Sequence, residues 1–144
     1  MEIALKEAAQ AAERGEVPVG AVIVDGVSSE VLSWAGNCMI ASNDPTAHAE
    51  IIAIRMAATK LGKTRLENCD LYVTLEPCPM CATAISFARL RRLYFGAYDP
   101  KGGGVEHGLR VFEHSNCHHR PEVIGGIKES QASELLKRFF RELR

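Results

Sequence analysis

One spacing restricts this chain more than any other: His48-Ala49-Glu50, followed about 30 residues later by Pro77-Cys78-Pro79-Met80-Cys81. Cys78 and Cys81 stand at what reads as the first turn of a helix, where both thiols can face one ion. Thiolate is the ligand form, and a helix N-terminus favours it through unpaired backbone N–H groups and the macrodipole. His48 sits at the start of a second helical stretch, Ala47 to Leu61, which places Ile51, Ile52, Ile54 and Ala58 along one face and ends at Gly62. For these residues to share an ion, two helix starts must meet.

A bare C-x-x-C also serves redox sites and structural zinc knuckles. The preceding His-x-Glu changes its meaning, because H-x-E followed by P-C-x-x-C is the signature of zinc deaminases. His48, Cys78 and Cys81 make three protein ligands, which leaves one tetrahedral position open for water, and two thiolates neutralise the dication. Glu50, two residues from a ligand, can take a proton from water, protonate a ring nitrogen and then protonate the departing amine. The bland alternatives are a Glu50 that merely complements the helix dipole, and a closed four-ligand site stapling the fold, with Cys69, Cys117, His118 or His119 as the missing ligand. Otherwise Cys38, Cys69 and Cys117 read as small hydrophobes, and His107, His114, His118 and His119 as solvated or locally hydrogen-bonded side chains.

Composition narrows the class. At 144 residues and 47% hydrophobic content, the chain suits one compact domain, 1–144. Its apolar runs fall well short of the roughly 20 residues that span a bilayer, and Met1 to Gly15 lacks the apolar centre of a signal peptide. A cytoplasmic protein without membrane contact is expected. Five cysteines, an odd number, suit metal binding better than a disulfide framework. A net charge of −1 advertises no global attraction to nucleic acid, so any such contact must come from local patches.

The elements alternate. Ala4, Leu5, Ala8, Ala9 and Ala12 recur at helical spacing before Gly15; Val17 to Val24 reads as a buried strand, and Asp25-Gly26 as the turn of a hairpin leading into Val27 to Trp34. After the polar segment Asn37 to Thr46 and the helix, Leu71 to Leu75 is a strand, Pro79 to Leu90 a helix and Arg92 to Ala97 a strand. The Gly-rich loop Lys101 to Gly104 leads to a segment without a clear period, a last strand near Glu122 to Ile124 and a helix from about Ser130. Such alternation implies a layered α/β fold.

The motifs Glu16 to Val22, Asn37, Asp44 to Glu50, Leu71 to Cys81 and Phe95 to Lys101 together resemble the cytidine deaminase superfamily, and are most similar to its branch that converts adenosine to inosine at the tRNA wobble position. The resemblance implies a three-layer α/β/α sandwich around a mixed five-stranded sheet, one Zn2+ per subunit, a homodimer and a tRNA anticodon arm as partner. It also implies that Asn37 hydrogen-bonds the flipped nucleoside, with Ala49, Asp99 and Lys101 at the substrate and the Cys78 backbone positioning water. From residue type alone, Asn37 and Asp99 serve equally well as turn residues. Two departures stand out: Tyr98 replaces an arginine in the usual FGARDPKTGA, with Gly102-Gly103-Gly104 and Val105-Glu106-His107 altering the loop that follows, and Ala82-Thr83-Ala84 replaces a more usual Ala-Gly-Ala after the second cysteine.

RNA contacts would come from Lys101, Arg89, Arg91, Arg92 and the C-terminal helix, where Lys137, Arg138, Arg141 and Arg144 cluster around Phe139 and Phe140; cations at a helix end also simply suit the macrodipole. The expected activity is hydrolytic deamination of tRNA adenosine. A free-base guanine or cytosine deaminase shares the same chemistry, and a zinc-stapled RNA-binding module without catalysis is the rival from another class.

Overall fold

The computed structural model describes residues 1–144. In chain order the elements are α1 (Glu2–Glu13), β1 (Gly20–Asp25), β2 (Val31–Gly36), α2 (Met39–Ser42), α3 (Ala49–Leu61), β3 (Cys69–Leu75), α4 (Pro79–Phe87), β4 (Arg92–Ala97), a 3-10 turn (Val111–Glu113), β5 (Glu122–Ile124) and α5 (Glu129–Glu142). The five strands form one mixed sheet in the order β2-β1-β3-β4-β5. β1 is antiparallel to β2 and β3, while β3, β4 and β5 run parallel. No helix is long and apolar enough to cross a membrane.

Alternation along the strands supplies both layers. Ala21, Ile23, Leu71, Val73, Leu93 and Phe95 point to one face, where they pack with Ala49, Ala53 and Ala57 of α3 and Ala82 and Ile85 of α4. Leu5 of α1 and Ala132 of α5 meet Ala97 on the other face. The α/β/α sandwich with a mixed five-stranded sheet is therefore the fold.

Helix packing is set by small residues. A Cβ on Gly20 would strike the Ala4 carbonyl oxygen and lie 2.6 Å from the Ala8 nitrogen; one on Gly36 would lie 2.8 Å from the Glu7 carbonyl. The glycines thus let α1 lie directly on the strands. Further along that face, Val22 pairs with Trp34 and Tyr72, and Tyr72 with Tyr94, whose rings stack 4.4 Å apart.

Three local expectations need correction. The apolar stripe of α3 is not Ile51, Ile52, Ile54 and Ala58, which are only partly buried; the fully buried face is Ala49, Ala53 and Ala57, with Glu50 beside them. Alanines allow the close helix–sheet approach, and the bulkier isoleucines fall to its flanks. The Asp25-Gly26 hairpin is a longer turn: Asp25 Oδ1 accepts the N–H groups of Val27 and Ser28, Ser29 takes a left-handed φ of 64°, and β2 starts at Val31. The polar segment after Asn37 contains the one-turn helix α2, which has no buried residue and hence no apolar period to reveal it.

Candidate metal centre and active site

β2 and β3 are parallel to each other and end at one edge of the sheet, and α3 and α4 start there. His48 is the N-cap of α3 and Cys78 the N-cap of α4, each extended and without a side-chain cap, so two helix N-termini and their unpaired N–H groups converge on the same point. Pro79 follows at the first helical position, where its missing N–H costs nothing. Cys81, fully buried, sits in the first turn of α4.

The donor atoms lie close together. His48 Nδ1 is 3.6 Å from Cys78 Sγ and 3.5 Å from Cys81 Sγ, and all three donors fall within 4.8 Å of one another. Tetrahedral zinc with Zn–S of about 2.3 Å and Zn–N of about 2.0–2.1 Å requires an N···S separation of about 3.6 Å. The residues therefore fit zinc as they stand.

No fourth cysteine or histidine joins them, so the closed four-ligand site is not formed. Cys69 is in the core, Cys117 Sγ and His119 are engaged elsewhere with Ser86 and the Leu90 carbonyl, and only His48, Cys78 and Cys81 form a metal-type group.

The electrostatics are mutually dependent. The Cys78 thiol is drawn down to about 4, first by the hydrogen bond from Cys81 and then by His48, against burial. Cys81, as that donor and buried, is pushed up, and His48 is raised first by its hydrogen bond with Cys78. Both thiols become thiolates when a dication sits among them. Glu50 is 3% exposed and its carboxyl is pushed up to about 7, because burial penalises its charge more than its own N–H and His48 favour it.

Asn37 is buried, and its Oδ1 accepts the Ala49 N–H at 2.8 Å, so the side chain pins the start of α3. Asp99 Oδ1 accepts the N–H groups of Lys101 at 3.2 Å and Gly102 at 2.9 Å, which closes the turn that holds Lys101 exposed. Arg89 lies beyond the far end of α4, roughly 15 Å of helix from Cys78, and donates to the His118 carbonyl. Arg141 pairs with Glu134, and Arg144 is exposed. Arg138 shares a groove with Ala9, Ala12 and Glu13 of α1, beside the end from which Arg14 donates to the Asn37 carbonyl. The α5 cations thus lie across the sheet from the cluster, and Arg89 lies well away from it.

Two buried acids lie inside the motifs Glu16 to Val22 and Leu71 to Cys81 but were not among the expected site residues. Glu16, 2% exposed, accepts the N–H groups of Ile40 and Ala41, holding α2 beside Asn37. Glu76, also 2% exposed, accepts those of Asp99, Val105, Glu106 and His107. Burial works to raise the Glu76 pKa, yet the hydrogen bonds from Asp99 and His107 and the remaining amides hold it below the usual carboxylate value. For Glu76 the available signal was an acid between Leu75 and Pro77, since a carboxylate buried there requires dedicated donors; Glu16, after Arg14-Gly15, offered no such signal.

A three-layer sandwich with one imidazole, two thiols and a buried carboxylate at its helix-start edge defines the hydrolytic zinc deaminase class. Residues 1–97 match the cytidine and deoxycytidylate deaminase zinc-binding region. The tRNA-specific adenosine deaminase of Agrobacterium fabrum is 58% identical over 144 residues, 100% of this chain and 93% of that protein. A solved structure from work on A-to-I editing by tRNA:A34 deaminases superposes with a TM-score of 0.92 at 58% identity, covering 94% of this chain and 97% of that one. The guanine deaminase of Bacillus subtilis is 30% identical with a TM-score of 0.67, over 95% of this chain and 90% of that one. The chain belongs to the cytidine deaminase superfamily, on its tRNA-specific adenosine deaminase branch.

Proposed function

We propose that this chain is a zinc-dependent hydrolase that converts adenosine to inosine at the wobble position of tRNA and releases ammonia. The observation that carries this reading is the His48, Cys78 and Cys81 triangle with Glu50 buried beside it, in a chain so similar to a tRNA-specific adenosine deaminase along its whole length.

His48, Cys78 and Cys81 would hold one Zn2+ per chain, which when bound supplies the Lewis acidity that makes water a nucleophile near neutral pH. Glu50 moves the protons. It takes one from the water and delivers it to the ring nitrogen beside the carbon that is attacked. It then takes the second from the newly added oxygen and delivers it to the amino group, which leaves as ammonia. A carboxyl buried beside the donor triangle is placed for both directions of transfer. Asn37 orients the nucleoside through the half of its carboxamide not used on Ala49, and Ala49, Asp99 and Lys101 border the same pocket.

The RNA partner is the anticodon arm, with Arg89, Arg138, Arg141 and Arg144 as further phosphate contacts. Phe87 is 74% exposed and, with Ile51 and Met80, lines an apolar depression on α3 and α4; such a surface suits the homodimer we infer. We read 1–144 as one deaminase domain working in the cytoplasm.

The kinship to a guanine deaminase keeps a free-base substrate as the second reading. Ammonia release, with products identified by mass, is measured on an anticodon stem-loop carrying a wobble adenosine and on free adenine, adenosine, guanine and cytosine. Conversion of the stem-loop alone is expected. Turnover of a free base without it would leave the chemistry in place and overturn the tRNA assignment.

A further inference from the structure

We propose that Glu76 and His107 form a clasp that orders the loop from Tyr98 to His107, and that His107 is thereby a positioning residue for substrate binding. The second half of this statement rests on the proposed function; the first does not.

The clasp is built from one carboxylate. Glu76 Oε1 accepts the Asp99 N–H at 3.1 Å and the His107 Nδ1–H at 2.8 Å, while Oε2 accepts the N–H groups of Val105 at 3.2 Å, Glu106 at 3.0 Å and His107 at 3.1 Å. Five donors from both ends of the loop therefore converge on a side chain with no exposed surface. The loop lies so close that a Cβ on Gly103 would collide with Glu76 Oε2, and one on Gly104 would lie 2.6 Å from the Pro79 nitrogen. Gly103 and Gly104 thus serve close approach to Glu76 and to the first turn of α4.

The first of the two departures from the family pattern lies here, with Tyr98 at one end of the loop and His107 at the other. The Tyr98 ring stands edge-on to His107 with centroids 6.2 Å apart, and edge-on to Phe95 at 5.0 Å. Tyr98 therefore supports the imidazole that closes the clasp, instead of presenting a cation. Asp99 and Lys101 ride on the loop so held, and their placement depends on bonds made by residues that do not touch substrate.

The test uses zinc-loaded wild type, His107→Ala and His107→Asn; the asparagine replaces the imidazole donor with an amide donor. Hydrogen exchange at the amides of 99–107 reads the clasp directly, and His107→Ala should accelerate it by about tenfold or more, with His107→Asn restoring most of the protection. On the stem-loop, His107→Ala should raise KM by about tenfold while kcat stays within about twofold, and His107→Asn should recover the KM. Unchanged exchange in His107→Ala would overturn the clasp whatever the substrate proves to be. Accelerated exchange with an unchanged KM, or a loss confined to kcat, would overturn the positioning role. If the wild type converts no stem-loop, the tRNA assignment and the positioning role fail together, and the exchange result still decides the clasp.

Discussion

Asn37 Oδ1 accepts the Ala49 N–H at 2.8 Å, tying the end of β2 to the first residue of α3, next to His48. The bond satisfies a helix-start donor and fixes the backbone that aims the imidazole. Asn37→Ala should cost about 1 kcal/mol of stability and weaken zinc affinity by about tenfold, as removing a group that orients a ligand does. Asn37→Asp keeps the acceptor and should recover the stability. Thermal unfolding and competition with a zinc indicator measure both; equal midpoints for all three proteins would show that the bond contributes nothing.

Glu50 should be separable from metal binding. Glu50→Gln preserves shape and the donor triangle but cannot shuttle protons, so zinc content should stay at one per chain while kcat falls by roughly 10²–10⁴-fold. Ammonia release alongside elemental analysis checks this, and near wild-type turnover would remove Glu50 from the chemistry.

Chelation should abolish activity without unfolding the protein. The core around Leu71, Val73, Ile85, Leu93 and Phe95 is closed by apolar contacts that do not involve the cluster, unlike a domain folded by its metal. Far-UV circular dichroism should be unchanged at 25 °C, with a lower thermal midpoint, since ligand at 100 times its Kd adds about 2.7 kcal/mol. Loss of the dichroism spectrum on chelation would favour the zinc-stapled module.

Glu16 sets an acid limb. Although burial alone would raise it, the N–H groups of Ile40, Ala41 and Met39 hold its carboxyl below the ordinary 4.5. The native state therefore binds fewer protons than the unfolded chain in that window, so this stabilisation is complete above about pH 4.5 and is lost as pH falls through the lower folded value. Glu16→Gln should be less stable at pH 7 and approach wild type as the pH drops toward 3. Midpoints measured from pH 7 to 3 test it; a constant gap would assign the effect to packing.

Arg138 and Arg141 should report on RNA through salt. If both meet phosphate, replacing them with Gln flattens the plot of log affinity against log salt by roughly 0.7–0.9 for each phosphate left unneutralised. An unchanged slope would make them solvated surface, with Arg141 left to its pair with Glu134 at 3.0 Å.

The grouping of His48, Cys78 and Cys81 was legible because zinc chemistry demands a small set of side chains at restricted spacing, and those demands are local: Cys78 and Cys81 share one helix turn, while His48 and Glu50 share another. The sandwich followed from periodicity and from resemblance. What escaped was whatever depends on partners remote in the chain. Glu16 and Glu76 look like ordinary acids until folding surrounds them with amides 24 and 31 positions away. The alanine face of α3 has the same helical period as its isoleucine face, and only packing against the sheet makes Ala49, Ala53 and Ala57 the buried ones. Side-chain chemistry is written residue by residue, so a candidate donor set could be read directly; the surroundings that hold the Glu76 carboxyl low and push that of Glu50 up come into being only when distant segments are packed together.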